Sequence, residues 1–248
     1  MTRLLVSLMV ICCCTALASG DATKWTQLPD LTTNGIDILS YNYAPIGVAD
    51  DFRCTATGPI TDFHVWGSWL GDQVPQNPTF NLYLFADVPA DQEAPSHPGT
   101  PLWYQLVAPS SSQLYATVPA GEWFWDPTGQ PIPSGDTQVW QYDFLIPQAT
   151  AFQQTQDTIY WLAVVSEQPN FGWKTRDPED GHFNDDAAWS LNYLGPWSEL
   201  RYPVGHPYEG QSIDMAFELT TVVPVPGAVA LGVIGVTGIG WLRRRRTL

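Results

Sequence analysis

The sequence predicts an all-β fold, an antiparallel β-sandwich of jelly-roll-like type, with an N-terminal signal helix and a C-terminal transmembrane helix. Apolar and polar residues alternate over residues 140–146 and 213–219, which is typical of half-buried strands. Residues 159–165 are apolar at every position, which is typical of a central strand covered on both faces. Prolines lie between such runs, and no segment keeps a helical period. Many short strands separated by turn residues indicate a sandwich.

Residues 1–20 have the features of a secretory signal peptide. Arg3 precedes an apolar run over residues 4–17, and small residues follow at Ala18 and Gly20. A charged start, a short apolar segment and a small-residue cleavage site define such signals. The run is too short for a comfortable membrane span, which needs about 20 residues. We therefore expect cleavage after Ala18 or Gly20 and export of the remaining chain.

Residues 21–221 are expected to form one β domain that is stabilised by its core. Three of the four cysteines lie in the signal peptide, so the exported chain keeps Cys54 alone. A single cysteine cannot form an intramolecular disulfide. Aromatic residues make up 13% of the whole chain and charged residues only 14%. This composition indicates a folded domain rather than a disordered linker.

The exported domain is strongly acidic. Its basic residues are Lys24, Arg53, Lys174, Arg176 and Arg201, five against 25 acidic residues, which gives a net charge of −20. Nucleic-acid binding depends on Lys and Arg side chains that neutralise phosphates. The charge therefore argues against nucleic acid as a partner. Cations, neutral sugars and basic proteins stay open, as does a role of the charge in solubility alone.

Residues 222–248 predict a C-terminal membrane helix. The apolar, glycine-rich residues 229–242 are followed by four arginines, Arg243, Arg244, Arg245 and Arg246. Arginines next to an apolar segment favour the cytoplasmic side of a membrane. The β domain would then lie outside, which is the side to which a signal peptide directs it.

A proline-rich motif precedes this helix. The motif is Val-Pro-Val-Pro-Gly-Ala at residues 223–228, and the tail ends in Trp-Leu-Arg-Arg-Arg-Arg at residues 241–246. Together they resemble the PEP-CTERM sorting signal of exopolysaccharide-producing Gram-negative and planctomycete-type bacteria. The resemblance implies processing by an exosortase-type membrane enzyme near Pro224, Pro226 and Gly227. The sequence departs from the consensus Pro-Glu-Pro at Val225, and a plain single-pass anchor is the alternative.

The domain itself carries a second resemblance. Its motifs include Ala49-Asp-Asp-Phe, Asn184-Asp-Asp-Ala and Gly205-His-Pro-Tyr-Glu-Gly-Gln-Ser-Ile-Asp-Met-Ala-Phe. They resemble an uncharacterised domain of exported planctomycete-type proteins with this kind of tail. That resemblance implies a surface protein and no particular chemistry.

The sequence does not contain the common motifs of catalysis. The four histidines are scattered, and neither a His-Glu-x-x-His pattern nor a Gly-x-Ser-x-Gly elbow is present. The sequence therefore predicts a protein that is not an enzyme. A polysaccharide hydrolase is the third alternative, because a glycosidase needs only two suitably spaced carboxylates among the 25 acidic residues.

Aromatic residues provide a candidate ligand platform. Sugar-binding β-sandwiches present flat rings to the apolar faces of sugars, and the chain contains 12 tryptophans. We select Trp66, Trp123, Trp125 and Trp173 as the candidate platform. Burial of each ring in the core is the competing interpretation.

One acidic loop provides a candidate calcium site. Calcium takes six to eight oxygen ligands from carboxylates, amides and carbonyls. The candidate ligands are Asp177, Glu179, Asp180, Asn184, Asp185 and Asp186. Asp50 and Asp51 form a second, smaller acidic pair. A solvated acidic loop is the competing interpretation, and no other cofactor is expected.

Taken together, the sequence predicts an exported cell-surface or extracellular-matrix protein that is sorted or anchored through its C-terminal tail. A carbohydrate-binding or calcium-binding module is the alternative. The predicted partners are the membrane, an exosortase-type enzyme and polysaccharide.

Overall fold

Strands account for almost all of the regular structure in the chain. The computed structural model describes residues 20–223 apart from Glu93 and Tyr193, with side chains from residue 22 to residue 221. In that range the strands are β1 (Gly20–Gln27), β2 (Ile36–Leu39), β3 (Gly47–Arg53), β4 (Gly58–Ile60), β5 (Asp62–Trp69), β6 (Phe80–Val88), β7 (His97–Val107), β8 (Ser111–Trp125), β9 (Ile132–Leu145), β10 (Phe152–Gln154), β11 (Ile159–Ser166), β12 (Phe171–Lys174), β13 (Ala188–Ser190), β14 (Ser198–Glu199) and β15 (Phe217–Val223). Two 3-10 turns, Leu70–Asp72 and Pro178–Asp180, complete the set.

The strands form two large sheets and one small one, so the all-β prediction is confirmed. One large sheet has the order β1-β15-β5-β12-β2-β8-β9, the other has the order β14-β13-β3-β11-β6-β7, and β10 pairs with β4. The two large sheets make the architecture sandwich-like. The prediction of antiparallel pairing throughout is wrong in one place, because β2 and β8 run parallel. The chain passes through β3 to β7 between these two strands, as the long connection of a parallel pair requires.

The first large sheet closes on itself. Strand β5 pairs with β12 along one edge and with β9 along the other. Because β12 pairs with β2, β2 with β8 and β8 with β9, these five strands form a closed ring. We call it the strand ring: β5, β12, β2, β8 and β9.

The main hydrophobic core lies between the two large sheets. Phe171 of β12 and Phe80 of β6 meet with ring centroids 5.0 Å apart, and both side chains are buried. A buried hydrogen bond of 2.7 Å from Trp69 Nε1 to the Tyr142 hydroxyl satisfies two polar groups inside this core. Strand β11 lies between β3 and β6, which confirms the predicted central strand at residues 159–165.

The strand predicted at residues 213–219 starts four residues later than expected and has the same length. Strand β15 begins only at Phe217. The backbone N–H of Met215 donates to Asp50 Oδ2 at 2.7 Å instead of joining a continuous ladder. Before β15 begins, Met215 forms only an isolated antiparallel bridge with Thr175.

The predicted signal peptide and the predicted sorting tail lie outside the described residues, except for residue 20 and residues 222–223. They stay predictions. Within residues 20–223, leaving aside positions 93 and 193, no helix has the length and apolar character that a membrane span requires. The contacts among the described residues delimit a compact unit, Thr23–Thr221.

Candidate functional site

Two of the four tryptophans of the predicted platform are buried. Trp66 is 2% exposed and Trp173 is fully buried, so the prediction is wrong for both. Large aromatic rings bury more apolar area than other side chains, and the core takes these two. Trp123 and Trp125 are half-buried and pack against the core, and the Trp125 Nε1 group donates to the Gly129 carbonyl at 3.2 Å.

The predicted calcium loop divides into two halves. In the first half, the Asp177 side chain accepts a hydrogen bond of 2.9 Å from the Glu179 backbone and caps the 3-10 turn Pro178–Asp180. Asp177, Glu179 and Asp180 therefore shape the turn, and the structure does not gather them into a cluster of ligands. This is the Asx turn that the competing interpretation of the loop describes.

The second half of the predicted calcium loop contacts the acidic pair Asp50 and Asp51. Asn184 Nδ2 donates to Asp51 Oδ2 at 2.5 Å, which connects the loop to β3. Carboxylate oxygens of Asp185, Asp186 and Glu199 lie within 4.8 Å of one another. We call these three residues the acidic group. Glu199 was missed by the sequence analysis, because it lies on the separate strand β14.

One guanidinium already serves as the cation of the acidic group. Arg201 approaches Asp186 Oδ2 at 2.5 Å and Glu199 Oε1 at 3.5 Å. A calcium ion bound by these carboxylates would compete with Arg201. Burial is the main cause that raises the pKa of Glu199 above its usual range, and the hydrogen bond to Asp186 raises it further.

A polar pocket of about 320 Å³ opens beside the first half of the loop. Its lining residues come from the loop and from the two chain segments that pass behind it: Arg176, Asp177, Pro178, Gly181, His182, Arg201, Gln211, Ser212 and Asp214. We call it the His182 pocket. An antiparallel bridge between Arg201 and Ser212 joins the two rear segments and fixes the back wall.

A histidine and a carboxylate form the centre of this pocket. His182 Nδ1 lies 2.5 Å from Asp214 Oδ1, and the Phe183 backbone N–H donates to Asp214 Oδ2 at 3.1 Å. The Asp214 side chain is only 3% exposed, whereas the His182 ring is 35% exposed. The hydrogen bond to Asp214 raises the pKa of His182 against the opposing effect of burial. His182 therefore presents a hydrogen-bond donor to the pocket over a wider pH range than an isolated histidine.

The arginines of the domain gather around the same loop. Arg176 donates to the Asp180 carbonyl oxygen, and Arg201 pairs with Asp186. Arg53 lies over the Phe183 ring, 5.5 Å from its centroid. Among the described residues these three are all of the arginines, and the two lysines are buried. The loop therefore concentrates the surface cations of a strongly acidic domain.

Ser212 supplies a hydroxyl group to the lining of the pocket. Ser212 lines the pocket with His182 and Asp214, but in the part of the chain that the structure describes no hydrogen bond joins Ser212 to His182. A serine nucleophile needs such contact with its base. Asp214 could not be selected from the sequence, because it alternates with apolar residues as a solvent-facing strand residue would.

The His182 pair makes folding stability depend on pH. A histidine whose pKa is raised in the folded state stabilises the fold fully at pH values below its unfolded pKa of about 6.5. This stabilisation is lost as the pH rises through the folded pKa. We expect His182→Gln to lower the melting temperature by about 1–3 °C more near pH 5.5 than near pH 8.5. The control is His97→Gln, because His97 contacts the Pro95 carbonyl and not a carboxylate. An equal shift of the His182 variant at both pH values would contradict the assignment.

Comparison with known proteins gives one family. The family described as Domain of unknown function (DUF7901) matches the chain over residues 23–220. No curated protein and no solved structure shows significant similarity to the chain.

Proposed function

We propose a function for the chain as a member of the DUF7901 family, to which it belongs: it is an exported surface protein whose β domain binds saccharides in the His182 pocket. One observation carries this proposal. The structure collects two guanidinium groups, an imidazole and a carboxylate around one concave site in a domain whose surface is otherwise acidic.

The chemistry of the pocket suits hydroxyl-rich ligands. A sugar hydroxyl both donates and accepts hydrogen bonds, so its site needs groups of both kinds. Arg176, Arg201 and His182 supply donors, Asp177 supplies an acceptor, and Gln211 and Ser212 supply both. The volume of about 320 Å³ lies at the lower end of small-ligand sites, which suits the end or a short branch of a glycan.

The pocket also favours certain sugars over others. Guanidinium groups form paired hydrogen bonds with carboxylates, so a uronic acid would gain from Arg176 or Arg201. The two carboxylate oxygens of the buried Asp214 already have partners, His182 and the Phe183 backbone N–H. Asp214 therefore orients these groups and does not repel an anionic sugar. Calcium at the acidic group is part of the proposal only where the ion displaces Arg201.

Export and retention complete the proposed function. The signal peptide would carry the β domain out of the cytoplasm, and the PEP-CTERM-like tail would hold it at the membrane or hand it to an exosortase-type enzyme. A saccharide-binding domain in that position would contact the exopolysaccharide of the cell surface. The jelly-roll-like strand order and the absence of enzymatic activity belong to the same proposal.

A polysaccharide array tests the binding. The purified exported chain is applied with calcium and with a chelator, and retained protein and released sugar are measured together. We expect retention on at least one polysaccharide and a loss of about tenfold in affinity for His182→Ala, the size expected when one charge-assisted hydrogen bond is removed. The matched control is His97→Ala, because His97 does not line the His182 pocket.

Each outcome of the array has a defined meaning. Equal retention of the two histidine variants would place binding elsewhere and contradict the pocket. Failure of every polysaccharide to retain the wild type would contradict saccharide binding. Released sugar would favour the hydrolase alternative, with Asp177 and Asp214 as the carboxyl groups to substitute first.

A further inference from the structure

Each strand of the strand ring places one polar side chain in a shared, buried centre. The five residues are Ser68 of β5, Lys174 of β12, Asp37 of β2, Glu122 of β8 and Asp136 of β9. All five are between 0% and 2% exposed. Polar strand residues usually face solvent, but closure of the ring turns this face inward. None of the five residues lines the His182 pocket, although Lys174 lies two positions before the lining residue Arg176.

The five side chains are close enough to interact directly. Lys174 Nζ lies 2.5 Å from Glu122 Oε2 and 3.2 Å from Asp37 Oδ2. Ser68 donates to the second oxygen of Glu122 at 3.4 Å. Oxygens of Asp37, Glu122 and Asp136 lie within 4.8 Å of one another. Lys174 and Asp37 are also directly opposite each other in the antiparallel pairing of β12 with β2.

Two glycines make room for this approach. A Cβ atom at Gly35 would lie 2.6 Å from Lys174 Nζ, and one at Gly172 would lie 2.6 Å from Asp37 Cβ. Any larger residue at either position would push the amine and the carboxyl group apart. The backbone is therefore shaped around the contact between Lys174 and Asp37.

The charges of the group do not balance. Three carboxyl groups surround one ammonium, and the centre is shielded from water. Burial raises the pKa of Asp37 to about 7 and that of Asp136 to about 10. Among the residues that the structure describes, none forms a hydrogen bond with Asp37 Oδ1 or with either oxygen of Asp136. Burial favours the neutral acid form of Asp37, and this acid lies beside the Lys174 ammonium, whose pKa the charges of Asp37 and Glu122 raise against the opposing effect of burial. An attack on Asp37 therefore requires that a neighbouring carboxylate first takes a proton from Lys174.

We infer that Lys174 and Asp37 form an intramolecular amide bond that cross-links β12 to β2. The contact geometry, the dry surroundings and a neighbouring carboxylate that can accept the amine's proton carry this inference. It is independent of the saccharide site.

The reaction balances without a further reactant. Glu122 takes one proton from the Lys174 ammonium, which leaves a neutral amine. The Nζ lone pair attacks Asp37 Cγ, a C–N bond forms, and the bond from Cγ to its hydroxyl oxygen breaks. A second nitrogen proton joins the departing hydroxyl, so one water leaves, and the third stays on the amide. Glu122 keeps its proton, and nothing is oxidised or reduced.

The cross-link would replace the disulfide that the exported chain cannot make. Cys54 is the sole cysteine among the described residues, and it is not paired. The amide would join positions 137 residues apart and remove two formal charges from the core. Covalent closure of so long a loop restricts the unfolded chain and stabilises the fold.

Peptide mapping of the denatured full chain tests the cross-link. Trypsin cannot cut after an amidated lysine, so residues 25–53 should appear joined to residues 54–176, lighter than the sum of the two peptides by one water. Lys174→Arg keeps a cation but cannot form the amide, and Glu122→Gln removes the proton acceptor. Both variants should yield separate peptides. We expect the Lys174→Arg melting temperature to be about 10 °C lower than that of the wild type.

Two results would overturn the inference. Cleavage after Lys174 in the folded wild type, with residues 25–53 recovered as a free peptide, would show that no bond forms. A free peptide of residues 54–176 that is lighter by one water would show that Lys174 forms its amide with Glu122 or Asp136 instead of Asp37. Near-ultraviolet circular dichroism of Lys174→Arg confirms that the variant is folded, so separate peptides from it are informative.

Discussion

Replacing Lys174 with methionine is expected to lower the free energy of unfolding by about 3–5 kcal/mol, because it leaves three buried carboxyl groups with neither an ammonium nor an amide partner. Each carboxyl group must then stay protonated in the folded state. A carboxyl pKa raised above its unfolded value contributes stability at low pH that is lost as the pH rises. The variant should therefore become more stable as the pH falls from about 8 to about 5. Urea unfolding across this range measures both effects.

Lys24→Met is the matched control for that experiment. Lys24 is also buried, but its ammonium donates to the Ala56 carbonyl at 2.6 Å, and no carboxylate among the described residues pairs with it. Its loss should cost about 1 kcal/mol, as for one hydrogen bond, with no gain at low pH. Equal losses for the two lysine variants would show that the buried carboxyl groups do not depend on Lys174.

Trp173→Ala is expected to destabilise the fold by about 3–5 kcal/mol, the usual cost of removing a fully buried aromatic side chain. The ring packs on Phe217 with centroids 5.9 Å apart, and its Nε1 group donates to the Ala216 carbonyl at 2.8 Å. The substitution removes both contacts and opens a cavity next to β15. Chemical denaturation monitored by circular dichroism measures the loss.

Trp125→Ala is the control for the tryptophan prediction. This ring is half-buried, and Trp125 was selected for the candidate platform together with Trp173. Its removal should cost less than the removal of Trp173, because part of the Trp125 surface stays in water. A larger loss for Trp125 than for Trp173 would contradict the assignment of Trp173 to the core.

The sequence was sufficient to predict the strands that are buried on both faces. Residues 159–165 are apolar throughout, and only a central strand such as β11 accommodates this pattern. The sequence did not predict which polar side chains are buried. No local pattern marked Asp37, Glu122 and Asp136 as buried, and the closure of the strand ring is what shields them from water. Pairing between distant strands cannot be obtained from a local pattern.

Only part of the candidate site could be predicted, because segments that are distant in sequence meet there. The loop at residues 177–186 has an unusual density of acids and a histidine, and it does form one wall of the His182 pocket. Its partners Arg201 and Asp214 come from later segments, and only the fold brings them to the loop. The prediction of the tryptophan platform failed for Trp66 and Trp173, because the number of tryptophans does not show which rings are buried in the core.

Nuclear magnetic resonance of the four histidine rings tests the central claim most directly. The chain contains His64, His97, His182 and His206, and among them only His182 lines the pocket. Histidine-labelled protein is titrated with neutral and with uronic-acid-containing oligosaccharides. Saccharide binding in the His182 pocket predicts that the His182 ring signals shift in proportion to the bound fraction while the other three stay in place. Shifts of another histidine with His182 unchanged, or no shift with any oligosaccharide, would contradict it.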